Sequence, residues 1–364
     1  MKILIINTVP TSKNGITGVI FNLLQNIEKV ACIFDLVTIN EAPSIYSNQV
    51  CSYGGEIHYL KRGKKSFLSY ISQLTHLIKN KKYNIVHIHG NSHTVILELL
   101  AAKLAGCQVR IVHAHNTTCN SPMVHKLLSP LFNLLCTHRL ACGQAAGKFM
   151  HGRHGFTIIN NGVNTDHFSF NPQDRLAIRK QYQIQDKIVI GHVSNFVEAK
   201  NPLFLIDILA ELRKFNSNYC MLMVGDGLLL KKVKEKVQSL GLTGSVIFVG
   251  TTDNVPAYIS ACDLIMMPSL FEGLPLTLIE QQTNGLKCLV SDKITTEVDK
   301  TGNIIFLPID QGVEPWVSAV KKLDLSYSRE EMSRIAVEKI KASGYDITTE
   351  AKNLRTYYDN CVKE

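Results

Sequence analysis

Short runs of apolar, often β-branched residues alternate with longer amphipathic stretches along most of this chain. The opening KILIIN has the pattern of a fully buried strand; Gly15 and Gly18 follow, and then the helical spacing of VIFNLLQNIEKV. Comparable runs recur at 84–90 (NIVHIHG), 110–116 (RIVHAHN), 137–143 (THRLACG) and 156–162 (FTIINNG). A second set follows at 187–193, 219–225, 245–250, 263–268 and 287–291, with helical patterns such as PLFLIDILAELRKF between them. Strands that alternate with helices predict parallel sheets covered on both faces. The chain therefore reads as α/β, with two open sheets facing a cleft at the carboxyl ends of their strands, where such sheets take ligands. The polar stretch from Asn164 to about Asp186 is the natural break. This divides the chain into a first domain over 1–165, a second over 166–345 and a terminal helical segment over 346–364. That last segment is expected to return to the first domain as a docked helix, a solvated tail being the alternative.

A length of 364 residues fits two cores rather than one. With 45% hydrophobic and 19% charged residues the chain is neither disordered nor a small stapled scaffold. No uncharged apolar run reaches the roughly 18 residues of a membrane span, and the start lacks the features of a signal peptide, so a cytosolic location is expected. The ten cysteines contain no C-x-x-C pair and read as reduced thiols. The formal charge of +9 is unevenly distributed. Residues 1–165 carry 16 Lys+Arg against 5 Asp+Glu, or +11, and the remainder 23 against 25, or −2. A basic face suits nucleic acid, an anionic membrane or a phosphorylated substrate, and charge alone leaves the three open.

The most specific stretch is PSLFEGLPLTLIEQQTNG, from 268 to 285. A strand ends near Pro268, a loop carries Glu272, Gly273 and Leu274, and a helix begins close to Pro275, a residue tolerated at the first helical position. Gly273 permits a tight turn, so the free amides of the first helical turn can face an anion. Glu272 and Glu280 lie eight residues apart. Across a helix that is about 10 to 12 Å, too far for the roughly 5 Å pair of a retaining glycoside hydrolase. Two carboxylates so placed suit two separate sets of hydroxyls with a diphosphate between them, the layout of a nucleotide sugar. A turn residue and a solvated helix position are the plainer alternative.

Taken in order, the glycine-bearing first loop, RIVHAHNTT, INNGVNTDHF, GHVSNFVEAKNP, MVGDG and DLIMMPSLFEGLPLTLIE resemble glycosyltransferase family 4 over nearly the whole chain. The resemblance is to bacterial members that assemble capsule, exopolysaccharide or O-antigen. It implies a GT-B architecture of two Rossmann-like domains and a retaining, metal-independent hexosyltransferase. It implies a donor, most simply a UDP-sugar, and an acceptor that is a lipid-linked saccharide or oligosaccharide. It also implies roles residue by residue. Glu280 takes the ribose hydroxyls; Glu272 and the backbone from Gly273 through Leu274 and Pro275 to Leu276, whose N–H donors are those of Gly273, Leu274 and Leu276, take the sugar and distal phosphate; Lys200 neutralises the diphosphate. His115 and Asn116 lie near the transferred sugar, and Gly15 and Gly18 lie in a loop closing on donor phosphate and acceptor. One departure stands out: the usual arginine five residues before the lysine is Asn195, which donates a hydrogen bond but carries no charge.

No D-x-D triplet is present, so a carboxylate-held divalent ion is not expected. The pairs His87/His89 and His113/His115 have the ligand type for zinc but also suit strand ends, and neither a metal nor a cofactor is expected. Gly225-Asp226-Gly227 is not a dinucleotide fingerprint, and the basic residues show no nucleic-acid motif. The basic segment 61–82 fits either a core helix or one lying on an anionic membrane, and the +11 domain favours peripheral membrane contact. A nucleotide-sugar epimerase, or a non-catalytic nucleotide-sugar-binding subunit, is the rival reading.

Overall fold

A computed structural model describes residues 1–12, 14–63 and 66–363. The backbone forms two units, Met1–Gly162 with Ile347–Glu364, and Val163–Asp346.

In the first unit seven strands, β1 (Lys2–Asn7), β2 (Ile33–Thr38), β3 (Ile57–Tyr59), β4 (Ile85–Gly90), β5 (Val109–Ala114), β6 (His138–Ala141) and β7 (Thr157–Ile158), make one sheet in the order β3-β2-β1-β4-β5-β6-β7. All its pairings are parallel. In the second, β8 (Ile188–Val193), β9 (Tyr219–Val224), β10 (Val246–Gly250), β11 (Leu264–Met267), β12 (Lys287–Ser291) and β13 (Ile304–Leu307) run in the order β10-β9-β8-β11-β12-β13, again all parallel. Each sheet is a doubly wound Rossmann-like layer. Central strands such as β4 and β9 are buried along their whole length, which is why they read as unbroken apolar runs.

Strand order fixes where a site can form. In the first unit the chain leaves β1 for β2 on one side and reaches β4 on the other; in the second it leaves β8 for β9 and reaches β11. Connections that depart in opposite directions open a crevice at the carboxyl ends of those two strands. The loops after β1 and β4, and after β8 and β11, are therefore the places for chemistry.

The unit boundaries fall at 162/163 and 346/347, three residues and one residue from the breaks expected at 165/166 and 345/346. Val163 pairs in parallel with Asp346, its amide donates to Tyr345 O at 2.8 Å, and Thr165 Oγ1 donates to Asp346 Oδ1 at 2.7 Å. These bonds hold 163–165 in the second unit. The terminal helix, Ile347–Cys361, belongs to the first unit and buries Ile347, Ala351, Leu354 and Tyr358 there. Its Tyr358 hydroxyl lies 2.5 Å from His87 Nδ1, and Arg355 donates to the carbonyls of Glu28 and Val30 at 2.9 and 3.0 Å.

Within the basic segment the structure forms the helix Phe67–Lys81, whereas Lys64 and Lys65 lie outside the described residues. Tyr70, Leu74 and Ile78 are buried in the core of the first unit, with Ile71 and Leu77 packed against it. Of the helix's large apolar side chains only Phe67 and Leu68, at its first turn, stay exposed. The apolar face is therefore spent on the core, where each buried leucine or isoleucine contributes about 1.5 to 3 kcal/mol. Of the two readings of the segment, the core helix is the one its apolar face takes.

Candidate active site

At the end of β8 the chain passes through Ser194 and the exposed Asn195 into a short turn, Glu198–Lys200. Asn201 then adopts a left-handed conformation (φ 50°, ψ 49°), tolerated by asparagine, and Pro202 opens the helix Pro202–Phe215. The K-N-P sequence thus turns the chain sharply and leaves Lys200 at the sheet edge. At the end of β11, Ser269 starts the loop that carries Glu272 and leads into the helix Leu276–Thr283. Leu270 N donates to Ala199 O at 2.8 Å, joining the two loops. Lys200 Nζ pairs directly with Glu272 Oε1, and the buried Ser269 hydroxyl donates to the same oxygen at 2.9 Å. The switch point therefore brings together two of the predicted residues as an ion pair, rather than as groups with separate partners.

The helix that follows has an open N-terminus. Its N-cap residue is Pro275, with no side-chain cap, as at several other helices of the chain such as Pro202–Phe215, and Leu278 N donates to Pro275 O at 3.0 Å. Pro275 is one residue short of the first helical position expected from the sequence, and Leu276 takes that place. The amides of the first turn lack a side-chain partner, and the helix dipole adds to their positive potential. Gly273 does not have positive φ, so no special turn requires it, and a Cβ there would meet nothing within 4 Å. The backbone does not require glycine there, and the position is open to the approach of a ligand. Glu280, four residues into the helix, is half-buried, and desolvation pushes its carboxyl up to about 7.

A different glycine shapes the neighbouring wall. Gly225 (φ +135°) sits where a Cβ would fall 1.9 Å from Ser194 O, and Phe196 N donates to Asp226 O at 2.9 Å. Gly225→Ala is expected to lose about 1 to 3 kcal/mol of stability by chemical denaturation, because backbone would have to move. Gly273→Ala should keep wild-type stability within about 0.5 kcal/mol yet weaken binding of an anionic ligand about tenfold. Equal effects of the two substitutions on stability would contradict this distinction.

Three further residues escaped the sequence reading. His192, fully buried, donates from Nδ1 to Met266 O at 3.0 Å and accepts from the Ser194 hydroxyl at Nε2 at 2.7 Å. Burial holds it down to about 4, so it is a neutral imidazole that fixes the Ser194 hydroxyl at the edge. Ser269 completes the set. The available signal was polar residues closing apolar runs: G-H-V-S, and a serine three residues before Glu272.

In the first unit, Gly15 and Gly18 lie in the first turn of the helix Gly15–Asn26, not in a loop. Both are exposed, and among the described residues nothing lies within 4 Å of where a Cβ would be, but Asn14 caps this terminus by accepting from Thr17 N at 3.0 Å. Past β5, His115 Nε2 bonds His89 Nδ1 at 2.8 Å, and its buried Nδ1 has no partner among the described residues. Desolvation takes His115 down to about 3 and His87 likewise, so both are neutral. Asn116 is exposed and accepts from Thr117 N at 3.1 Å. His87, His89 and His113 offer ligand atoms within 4.8 Å of one another, in a fully buried stack beneath the sheet edge. Neutral imidazoles are the metal-binding form, yet burial in an apolar layer demands the same form. The ten cysteines are free thiols.

A family model described as glycosyltransferase family 4 matches residues 13–167, and one for glycosyl transferases group 1 matches residues 174–299. EpsF of Bacillus subtilis (strain 168) is 31% identical over 326 residues, covering 85% of each chain. An Escherichia coli protein named UDP-Gal:alpha-D-GlcNAc-diphosphoundecaprenol alpha-1,3-galactosyltransferase is 32% identical over 246 residues, or 63% of this chain and 62% of that one. Among solved structures, Anabaena HepE in complex with UDP superposes with a TM-score of 0.80 at 17% identity, covering 99% of this chain and 100% of that one. The chain belongs to glycosyltransferase family 4, and its two sheets are the Rossmann-like domains of the GT-B fold.

Proposed function

We propose that the protein is a retaining, metal-independent hexosyltransferase of surface-polysaccharide synthesis. In this reading it moves a sugar from UDP to a hydroxyl of a lipid-linked saccharide. The observation that carries it is the uncapped helix terminus at Leu276 beside the Lys200–Glu272 pair, at the switch point of the second sheet. Relatives named for capsular polysaccharide biosynthesis and for transfer to a diphosphoundecaprenol substrate support the pathway and the acceptor class. The UDP in the HepE complex supports the base.

Breaking the anomeric bond leaves negative charge on the departing diphosphate and an oxocarbenium-like sugar. The helix amides and Lys200 are fixed positive groups aimed at the first, and they act more strongly there than in water. A diphosphate competes with Glu272 for the Lys200 ammonium. Glu272, held by Ser269, is then available to the hydroxyls of the transferred sugar, while Glu280 accepts from the ribose. In the first unit, neutral His115 offers its unpartnered Nδ1 to the acceptor hydroxyl, with Asn116 beside it and the open first turn at Gly15 and Gly18 admitting the saccharide. A peripheral location at the cytoplasmic face of the membrane suits a lipid-linked acceptor; among the described residues no helix is long and apolar enough to cross a bilayer.

Nucleotide sugars screened for protection against thermal unfolding test the donor. The correct one at a hundred times its Kd adds about 2.7 kcal/mol. Incubation of that donor with lipid-linked acceptor in the presence of a chelator should give an α-linked product by NMR from an α-linked donor. Isomerised sugar nucleotide in the absence of acceptor would make the protein an epimerase, and an inverted linkage would overturn retention.

A further inference from the structure

The helix Pro122–Leu135 of the first unit is apolar on two opposite sides. One side, with His125, Phe132 and Leu135, is buried. On the other, Met123, Leu127 and Leu134 are 85%, 79% and 69% exposed, and Leu131 and Val124 are exposed beside them. Positions 123, 127, 131 and 134 fall on one stripe of a 3.6-residue helix, so the exposed groups form a continuous apolar ridge rather than scattered side chains.

The surroundings say what covers it. From Leu99 to Thr165 the sequence contains no Asp or Glu, while Lys103, Arg110, Lys126, Arg139, Lys148 and Arg153 fall within that span. Exposed Lys126 flanks the ridge, and beyond it a cavity of about 440 Å³ is lined by Lys126, Arg153 and His154 together with Ser129 and Asn133. An apolar ridge bordered on one flank by a cationic, hydroxyl-bearing cavity is complementary to acyl chains beneath a layer of phosphate headgroups. It is poorly suited to a second copy of this chain, since pairing the surface with itself would bring cation against cation.

We propose that the Pro122–Leu135 helix is the membrane-docking surface of the protein, its ridge entering an anionic bilayer while the Lys126/Arg153 cavity receives lipid phosphate. This deepens the lipid-linked-acceptor reading, on which it rests, by assigning the surface that meets the lipid. Sedimentation with vesicles containing phosphatidylglycerol in phosphatidylcholine tests it. The wild-type protein should bind these vesicles and not pure phosphatidylcholine. Leu127→Glu/Leu134→Glu should cut binding at least tenfold, and Lys126→Glu/Arg153→Glu should abolish the preference for anionic lipid. All these side chains are exposed, and both variants should retain wild-type transfer to a water-soluble, short-chain acceptor. Failure of the wild type to bind, unchanged binding by the double-leucine variant, or a wild-type dimer that this variant converts to monomer in sedimentation velocity would overturn the proposal. Absence of transfer to the soluble acceptor by the wild type would instead count against the proposed activity.

Discussion

Lys200→Ala is expected to lower turnover ten- to a hundredfold while changing the donor KM by less than about threefold. Charge-assisted contacts are worth about 1.5 to 3 kcal/mol, and a contact that strengthens as charge develops on the diphosphate acts on the barrier. In the free protein the ammonium is engaged by Glu272, so part of its binding energy offsets the loss of that pair and little remains to tighten the ground state. As the anomeric bond breaks, the growing charge on the phosphate outcompetes the carboxylate. Lys200→Arg should restore part of the rate, since it keeps the charge with a different geometry. Steady-state kinetics against donor concentration check this. A raised KM with unchanged turnover would make Lys200 a ground-state anchor instead.

Glu280→Gln should produce the opposite profile, a protein that is more stable and binds donor at least tenfold more weakly. Desolvation raises the Glu280 carboxyl from 4.5 to about 7. The folded state therefore holds the proton more tightly than the unfolded state. Any stability linked to this group is fully present below about pH 4.5 and is lost as pH rises toward 7. Glutamine removes that dependence. Above pH 7 the variant should gain up to about 3 kcal/mol, the free-energy equivalent of a rise from 4.5 to about 7, and below pH 4.5 the two proteins should converge. Ribose hydroxyls donate to the ionised carboxylate, so wild-type donor affinity should fall as pH drops below 7, with proton uptake on release of the nucleotide. Thermal unfolding at pH 5 and pH 8, with donor titrations over the same range, separates these effects. A variant that matches the wild type in stability at both pH values and in donor KM would remove Glu280 from the site.

The doubly wound sheets were legible because their central strands are buried on both faces and so appear as unbroken apolar runs. β2 was not, because Asp35 interrupts it. That carboxylate is buried and satisfied by Glu56 N at 2.7 Å and the Tyr83 hydroxyl at 2.6 Å, a long-range arrangement that local pattern does not encode. β3 is a three-residue edge strand, too short to carry a period. In the site, S-x-x-E and K-N-P mark the right loops, but the Lys200–Glu272 pair depends on two loops far apart in sequence and the Leu270–Ala199 bond that joins them. The helices at 67–81 and 122–135 show a further limit of periodicity. Both contain apolar faces, yet the face of the first is consumed by the core, whereas the second has one face buried and another left exposed. Periodicity reports that an apolar face exists; tertiary packing decides whether it is covered.

The central claim is that the Leu276 helix terminus and Lys200 hold a diphosphate. Calorimetric titration of uridine and of UDP into the wild type and Lys200→Ala tests it most directly. UDP carries in full the terminal phosphate charge that the intact donor develops only as the anomeric bond breaks, so it should bind the wild type at least about a hundredfold more tightly than uridine, two charge-assisted contacts being worth about 3 kcal/mol or more, and Lys200→Ala should retain part of that advantage through the helix amides. Equal affinity for uridine and UDP in the wild type would contradict the account.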